Sequence, residues 1–319
     1  MRFSPLGSTS LLVSTLGFGA STLGEEFGAL DYVEGSRAVH CAIDHGINLF
    51  DVSPYYGRTL AEERLGKALK DKRDRVVLST KAGRYDQELP DGFDFSAKRV
   101  ARSLEESLRR LRTDVIDLFL AHDIEFASRE QILQETLPAM RKLKEEGKVR
   151  FIGVTGFPPG LLREVAQEGE VDVVLSYCHY NLLNTRVEAD LVPLLRERGV
   201  GLINGSPLHM GVLTPQGPPA WHPAPSEVIQ AARATLAWCV RRGVDLSDLA
   251  LRFALDNRAI ASTLVGMRTE AEVRANLQAL DAGPDPELLA GVRRLLEKVQ
   301  DIEWTSGLPE NNPPPAISV

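Results

Sequence analysis

The sequence predicts an α/β chain folded as a (β/α)₈ barrel of the TIM type. Three observations lead there. Short runs rich in Val, Ile and Leu alternate with longer stretches of helical period. Those runs are apolar on both faces, as parallel strands covered by helices must be. Gly46, Gly147, Gly199 and Gly243 each follow a charged helix end, and the first three lead straight into a strand, the mark of a glycine-stopped αβ turn.

In chain order, the residues before Thr15 are expected to form a short hairpin closing the barrel floor. Strands are expected at Thr15–Ala20, Ile47–Val52, Val76–Lys81, Val115–Ala121, Val149–Val154, Val171–Ser176, Val200–Asn204 and Ser262–Val265. That spacing places eight βα units within roughly 250 residues, the size of one such barrel. Val100, Leu104, Leu108 and Leu111 share one helical stripe; Ile132, Thr136, Met140 and Leu143 share another; Ile229, Ala232, Leu236 and Cys239 a third. Ser128-x-x-Gln131 and Thr269-x-x-Glu272 have capping-box spacing. Pro138 stands inside a helical pattern and marks a kink or a restart. Segments 226–243 and 285–299 read as two extra helices outside the eightfold repeat. The tail from Gly307, with Pro309, Pro313, Pro314 and Pro315, reads as an irregular flap. No internal linker interrupts residues 1–319, so a single domain is expected. A doubly wound sheet is the rival, but Gly17-Phe18-Gly19 is followed by Ala20-Ser21-Thr22, without the third glycine of the dinucleotide fingerprint.

The bulk composition narrows function. A chain of 319 residues with 43% hydrophobic content can bury a large core. Its net charge of −7, with no long Lys/Arg cluster, excludes a nucleic-acid footprint. No apolar run approaches the roughly 18 residues of a membrane span, and Gly7 to Ser10 interrupt any signal-peptide core. Cys41, Cys178 and Cys239 are widely spaced, with neither disulfide-framework nor metal spacing. Cys178-His179 lacks a second ligand pair, so no metal is expected. The expectation is a cytoplasmic protein.

Function is written at the strand ends. Asp51 closes Ile47-Asn48-Leu49-Phe50, Lys81 closes the run from Arg75 to Thr80, His122 closes the run from Val115 to Ala121, and Tyr56 lies in the loop Ser53-Pro54-Tyr55-Tyr56-Gly57. The reactive rim of such a barrel lies at the C-terminal ends of its strands. Each residue alone has a structural reading as a turn cap, a packing ring, a solvated lysine or a satisfied histidine. Together they form what reversible hydride chemistry on a carbonyl needs. A tyrosine hydroxyl can carry the proton, but its unperturbed pKa is about 10. Bringing it about three units lower requires roughly 4 kcal/mol of preferential phenolate stabilisation, which a nearby lysine ammonium held by an aspartate is expected to supply. A histidine can then hold the substrate oxygen. No side chain carries a hydride, so a nicotinamide is expected to do so.

Phe50-Asp51-x-x-x-x-Tyr56-Gly57, Ser79-Thr80-Lys81, the strand leading to His122, Gly147-Lys148-Val149-Arg150-Phe151-Ile152-Gly153-Val154 and Ser206-Pro207-Leu208-x-Met210-Gly211-Val212-Leu213 resemble the aldo-keto reductases along nearly the whole chain. His122-Asp123-Ile124-Glu125-Phe126, Leu175-Ser176-Tyr177-Cys178-His179-Tyr180 and Gln216-Gly217-Pro218-Pro219-Ala220-Trp221-His222-Pro223 carry a finer resemblance to the sugar-oxidising members. The resemblance implies that Tyr56 is the general acid/base, tuned by Lys81 and Asp51, with His122 orienting the substrate. It implies cofactor contacts at Tyr177, Ser206, Leu208, Gly211, Gly266, Met267, Arg268, Glu272 and Asn276, and a monomer or weak homo-oligomer acting on a small molecule. Three positions depart from the family pattern. Thr155-Gly156 stands where many relatives have Ser-Asn. Gly205 replaces the ring that stacks on the nicotinamide, for which Tyr177 is expected to compensate. Glu272 stands where enzymes preferring the phosphorylated cofactor carry Arg, so NAD is expected over NADP; Arg268 nearby works against that preference. The expected reaction is oxidation of an aldose to a lactone. The alternatives are an aldehyde reductase and a non-catalytic nicotinamide-binding regulatory subunit. His209, Trp221, His222 and Trp304 are open candidates for the pocket wall.

Overall fold

The computed structural model describes residues 1–26, 28–86 and 92–312. Its first element is an antiparallel hairpin of β1 (Phe3–Pro5) and β2 (Leu12–Ser14). Eight parallel strands follow: β3 (Leu16–Gly19), β4 (Leu49–Asp51), β5 (Val77–Ala82), β6 (Ile116–Ala121), β7 (Val149–Gly156), β8 (Val173–Tyr177), β9 (Gly201–Gly205) and β10 (Ser262–Gly266). They close into a barrel in sequence order, with β10 pairing both β9 and β3. All eight expected strands are present, with ends shifted by up to two residues.

Alternation along the strands divides the core in two. Leu49, Val77, Leu118, Leu120, Val173, Leu175, Ile203 and Leu264 fill the barrel interior, and Leu6, Leu11 and Val13 of the hairpin plug its floor. The intervening residues, Phe50, Leu78, Phe119, Ile152 and Val174 among them, face the surrounding helices. The hairpin thus does what the sequence led us to expect. Gly46, Gly147 and Gly199 have φ of 85°, 75° and 68°, the left-handed conformation that stops a helix and feeds the next strand.

Pro138 is accommodated by a restart rather than a kink. A π-helical turn, Ile132–Thr136, absorbs the missing donor, and a regular helix begins at Leu137 with the proline in its first turn. The two extra helices are Ser226–Val240 and Pro286–Leu296. They pack with the loop after β9 in a separate apolar cluster that includes Leu213, Val228, Cys239 and Val292. No helix among the described residues is long and apolar enough to cross a membrane. The expected irregular tail holds a short 3₁₀ turn, Pro309–Asn311; residues 313–319 lie outside the described residues.

The floor is locked by charge. Asp117, buried near the start of β6, accepts from Arg73 at 2.7 Å, from the Leu78 backbone N–H at 2.9 Å and from Arg150 at 2.8 Å. One carboxylate therefore ties β5, β6 and β7 together at the end opposite the reactive rim. Asp117→Ala leaves two arginines and a buried N–H without their acceptor. We expect a loss of about 2–3 kcal/mol in urea unfolding, since both arginines can still turn to water. The folded fraction should keep its turnover; a parallel loss of turnover would contradict this separation of floor and rim.

Candidate active site

Strand parity brings Asp51, Lys81 and His122 to one rim, and a loop brings Tyr56 to it. Leu49 faces the barrel interior, so Asp51, two residues on, does too. Val77, Ser79 and Lys81 form one inward row on β5, and Leu118, Leu120 and His122 another, with His122 one residue past β6. The register pairs Asp51 with Ser79 and Lys81 with Leu120, stepping the polar groups around the wall. Tyr56 enters from the loop after β4.

Lys81 is the centre of the group and only 1% exposed. Its ammonium donates to Asp51 Oδ2 at 2.6 Å, to the Val52 carbonyl at 2.9 Å and to Tyr56 Oη at 3.3 Å. Three N–H groups meet three acceptors, so the charge is fully partnered. Burial works against the ammonium, but Asp51 and Tyr56 outweigh it and hold Lys81 above its ordinary range. Asp51 is pinned from its other oxygen by the Ser79 hydroxyl at 2.7 Å.

The phenol departs from the sequence expectation. Burial pushes Tyr56 up to about 12, and the opposing pull of Lys81 does not overcome it because Asp51 and Asp123 add to the upward side. Lys81 limits the rise rather than producing a fall. His122 packs edge-on to Tyr56 with ring centroids 5.7 Å apart. Burial, then Lys81 and Arg84, hold His122 well below its ordinary value, so it is a neutral imidazole. Its Nδ1 lies 2.9 Å from the hydroxyl of buried Ser53.

Several groups here escaped the sequence reading. Arg84 pairs with buried Asp123 at 2.5 Å and lies 3.8 Å over the Tyr55 ring. Glu125 is fully buried, and its Oε1 accepts from Ser306 at 2.9 Å, the Phe157 N–H at 3.2 Å and Tyr177 at 3.3 Å. Burial and the neighbouring Asp123 push Glu125 up to about 8. A β-carbon at Gly156 would stand 2.7 Å from Glu125 Oε2, and one at Gly307 would stand 2.1 Å from the Glu125 carbonyl. The departure at Gly156 thus has a physical reason: Glu125 fills the space. The only sequence signal was an acidic residue inside the phrase after His122.

The candidate cofactor residues gather on the opposite arc. Tyr177 ends β8 beside Gly205, where a β-carbon would stand 3.1 Å from that of Tyr177. Its ring leans towards β7, with its centroid 5.6 Å from that of Phe157. Ser206, His209, Met210 and Gly211 all have positive φ, bending the loop after β9 sharply, and Leu208 packs into the cluster of extra helices. Gly266 is exposed, whereas the Met267 side chain is buried in the core and its carbonyl accepts from Thr22 at 2.9 Å. Met267 can therefore offer a ligand its backbone N–H but no side chain. Thr269 caps the helix Glu270–Ala282, taking the Glu272 N–H at 3.1 Å. Glu272 reaches back to the Arg268 N–H at 2.6 Å, and the Arg268 side chain donates to the Ala29 carbonyl at 2.6 Å. Asn276 stands one turn further along, half-buried. Of the open aromatics, Trp304 stacks on Phe157 at 4.3 Å and meets His209 edge-on; His209 is buried, Trp221 exposed.

The chain is 47% identical to the L-galactose dehydrogenase of Arabidopsis thaliana over 316 residues, covering 96% of this chain and 98% of that one. It is 31% identical to the D-arabinose 1-dehydrogenase of Saccharomyces cerevisiae, covering 84% of this chain and 86% of that one. Among solved structures, an aldo-keto reductase from Bacillus halodurans in its holo form superimposes with a TM-score of 0.77 at 28% identity, covering 98% and 99% of the two chains. The Aldo/keto reductase family profile matches residues 15–297, and the chain is an oxidoreductase belonging to that family.

Proposed function

We propose that this enzyme oxidises the anomeric hydroxyl of an aldose, L-galactose or a close stereochemical relative, to a lactone. The observation that carries the reading is the buried Lys81 ammonium shared between Asp51 and the Tyr56 oxygen at 2.6 and 3.3 Å. The 47% identity to L-galactose dehydrogenase supports the substrate class. In this reading the Tyr56 oxygen takes the proton of the substrate hydroxyl. Lys81 stabilises the phenolate that accepts this proton and becomes the phenol, Asp51 keeps Lys81 charged and aimed, and His122 holds the substrate oxygen.

A nicotinamide dinucleotide fits the residues present. Gly205 lets Tyr177 pack closely against β9, where a β-carbon would be crowded, so the Tyr177 ring can serve as the aromatic beside the nicotinamide. Arg268, Asn276 and the capped start of the helix Glu270–Ala282 are suited to the adenosine end, with Ser206, Leu208, Gly211 and the Gly266–Met267 backbone between. When bound, the oxidised cofactor supplies the hydride-accepting carbon. NAD is the preferred form in this reading, because Glu272 sets a carboxylate where a 2′-phosphate would stand. We assign the enzyme to a reducing cytoplasmic setting, in keeping with its three buried free thiols.

One observation favours a second reading, NADPH-dependent reduction of aldehydes: a phenol pushed up to about 12 is protonated at neutral pH, the form from which reduction starts. The regulatory-subunit reading has less support, since the Asp51–Lys81–Tyr56 unit is intact.

Tyr56→Phe should lose about 10²–10⁴-fold in turnover while NADH binding, followed by nucleotide fluorescence, persists; retained sugar turnover would refute the assignment. Because the base form of Tyr56 lies above neutrality, sugar oxidation should accelerate with rising pH from 6 to 9, while aldehyde reduction stays flat. Lys81→Met should displace the oxidative limb further alkaline, and an unmoved limb would exclude Lys81 as its tuner. Glu272→Arg should improve the NADP/NAD ratio of kcat/KM by about tenfold, as expected when one repulsive contact is replaced by an attractive one; an unchanged ratio would place the discrimination elsewhere.

A further inference from the structure

The reading of His122 as the residue that holds the substrate oxygen leaves one question open: which ring nitrogen carries the proton. A neutral imidazole has one N–H and one bare nitrogen, and only the N–H can donate to a substrate hydroxyl or carbonyl oxygen. We infer that Ser53 is a positioning residue, whose buried hydroxyl donates to His122 Nδ1 and so keeps the single imidazole proton on Nε2. This rests on the role proposed above for His122.

The hydrogens around one oxygen decide the tautomer. Ser53 is fully buried, and its Oγ stands 2.9 Å from His122 Nδ1. The same oxygen already accepts the Tyr55 backbone N–H at 3.1 Å, the local turn that serine hydroxyls make two residues ahead of themselves. If Nδ1 were the protonated nitrogen, Ser53 Oγ would accept twice, and its own hydrogen would have no acceptor among the described residues. A buried hydroxyl hydrogen without a partner is costly. If Nδ1 is bare, the hydroxyl hydrogen points at it and every group is satisfied.

The remaining nitrogen is then free for the reaction. Nε2 makes no hydrogen bond within the described residues; Asp123 Oδ1 stands 3.8 Å away, beyond hydrogen-bonding distance. The other oxygen of Asp123 is held by Arg84 at 2.5 Å. Lys81 and Arg84 flank the ring with positive charge and keep it from gaining a second proton, so the choice between tautomers falls to the partner of Nδ1. Ser53 lies three residues before Tyr56, so the loop that brings the proton carrier also carries the group that orients the proton donor.

The test reads the tautomer directly in the full-length, cofactor-free enzyme labelled with ¹⁵N-histidine. Long-range ¹H–¹⁵N correlation at pH 7.5 distinguishes a bare from a protonated ring nitrogen, and His122→Asn identifies the signals. Wild type should show a bare Nδ1 and a protonated Nε2. Ser53→Ala should move population to the Nδ1-protonated form and lower kcat about tenfold, the rate equivalent of one neutral hydrogen bond. Ser53→Thr, which restores a hydroxyl, should recover the wild-type spectrum. A protonated Nδ1 in wild type, or an unmoved tautomer in Ser53→Ala, overturns the inference. The wild-type spectrum decides even if Ser53→Ala does not fold. It is also independent of which substrate is turned over, so failure of the sugar assignment would be seen separately.

Discussion

The rim of this barrel is organised by one buried ammonium. Lys81 lies at the centre of a buried polar group on the barrel wall, and its three hydrogens are taken by a carboxylate, a backbone carbonyl and a phenol. An unpaired charge there would be severely destabilising. Asp51 is therefore a structural necessity for Lys81 before it is a tuner of chemistry, and Ser79 is a necessity for Asp51. The chemistry follows from the same geometry. A cation that is partnered but still touches the Tyr56 oxygen favours the phenolate without being neutralised by it. The burial that makes this interaction strong also raises the phenol. Lys81 is what keeps that rise within reach of proton transfer.

The two ends of the barrel use charge differently. At the floor, Asp117 gathers two arginines and a backbone N–H into a clamp across three strands, a purely architectural arrangement. At the rim, Lys81 is paired with Asp51 and Arg84 with Asp123, beside two neutral groups, the Tyr56 phenol and the His122 imidazole. Arg84 with Asp123 and the Glu125 cluster close the side of the rim nearest the C-terminal segment, where Ser306, Leu308 and Asn311 bind the loop after β6. Residues far apart in the chain thereby shape one wall.

Much of this was legible in the sequence, for identifiable reasons. Apolar runs bounded by glycine turns define the eight strands because each signal is local. Their C-terminal ends mark the rim, so Asp51, Lys81 and His122 could be assigned to it from strand ends alone, whereas the inward and outward rows of these doubly apolar strands emerge only in the folded barrel. Pro138 announced an interruption, though not that a π-turn would absorb it. What could not be read depends on distant neighbours. The space beside Gly156 is filled by Glu125, from the loop after β6, and the carbonyl of Glu125 is held by Leu308 and Asn311. The Ser53 hydroxyl reaches His122 only because β4 and β6 curve around β5. The direction in which Tyr56 is shifted depends on how completely the loop after β4 buries it, and the tyrosine-lysine pairing alone suggested the opposite. Met267 reads as an accessible contact in the family pattern, yet its side chain completes the core.

Proton transfer at this rim depends on the electrostatic coupling between Lys81 and Tyr56. An NMR titration of ¹³Cζ-labelled tyrosine in wild type and in Lys81→Met, with the Tyr56 signal identified by Tyr56→Phe, measures it directly. The account predicts that Tyr56 titrates near 12 in wild type and is displaced upward, out of the range in which the protein stays folded, when the ammonium is removed. The same titration midpoint in both proteins would contradict it.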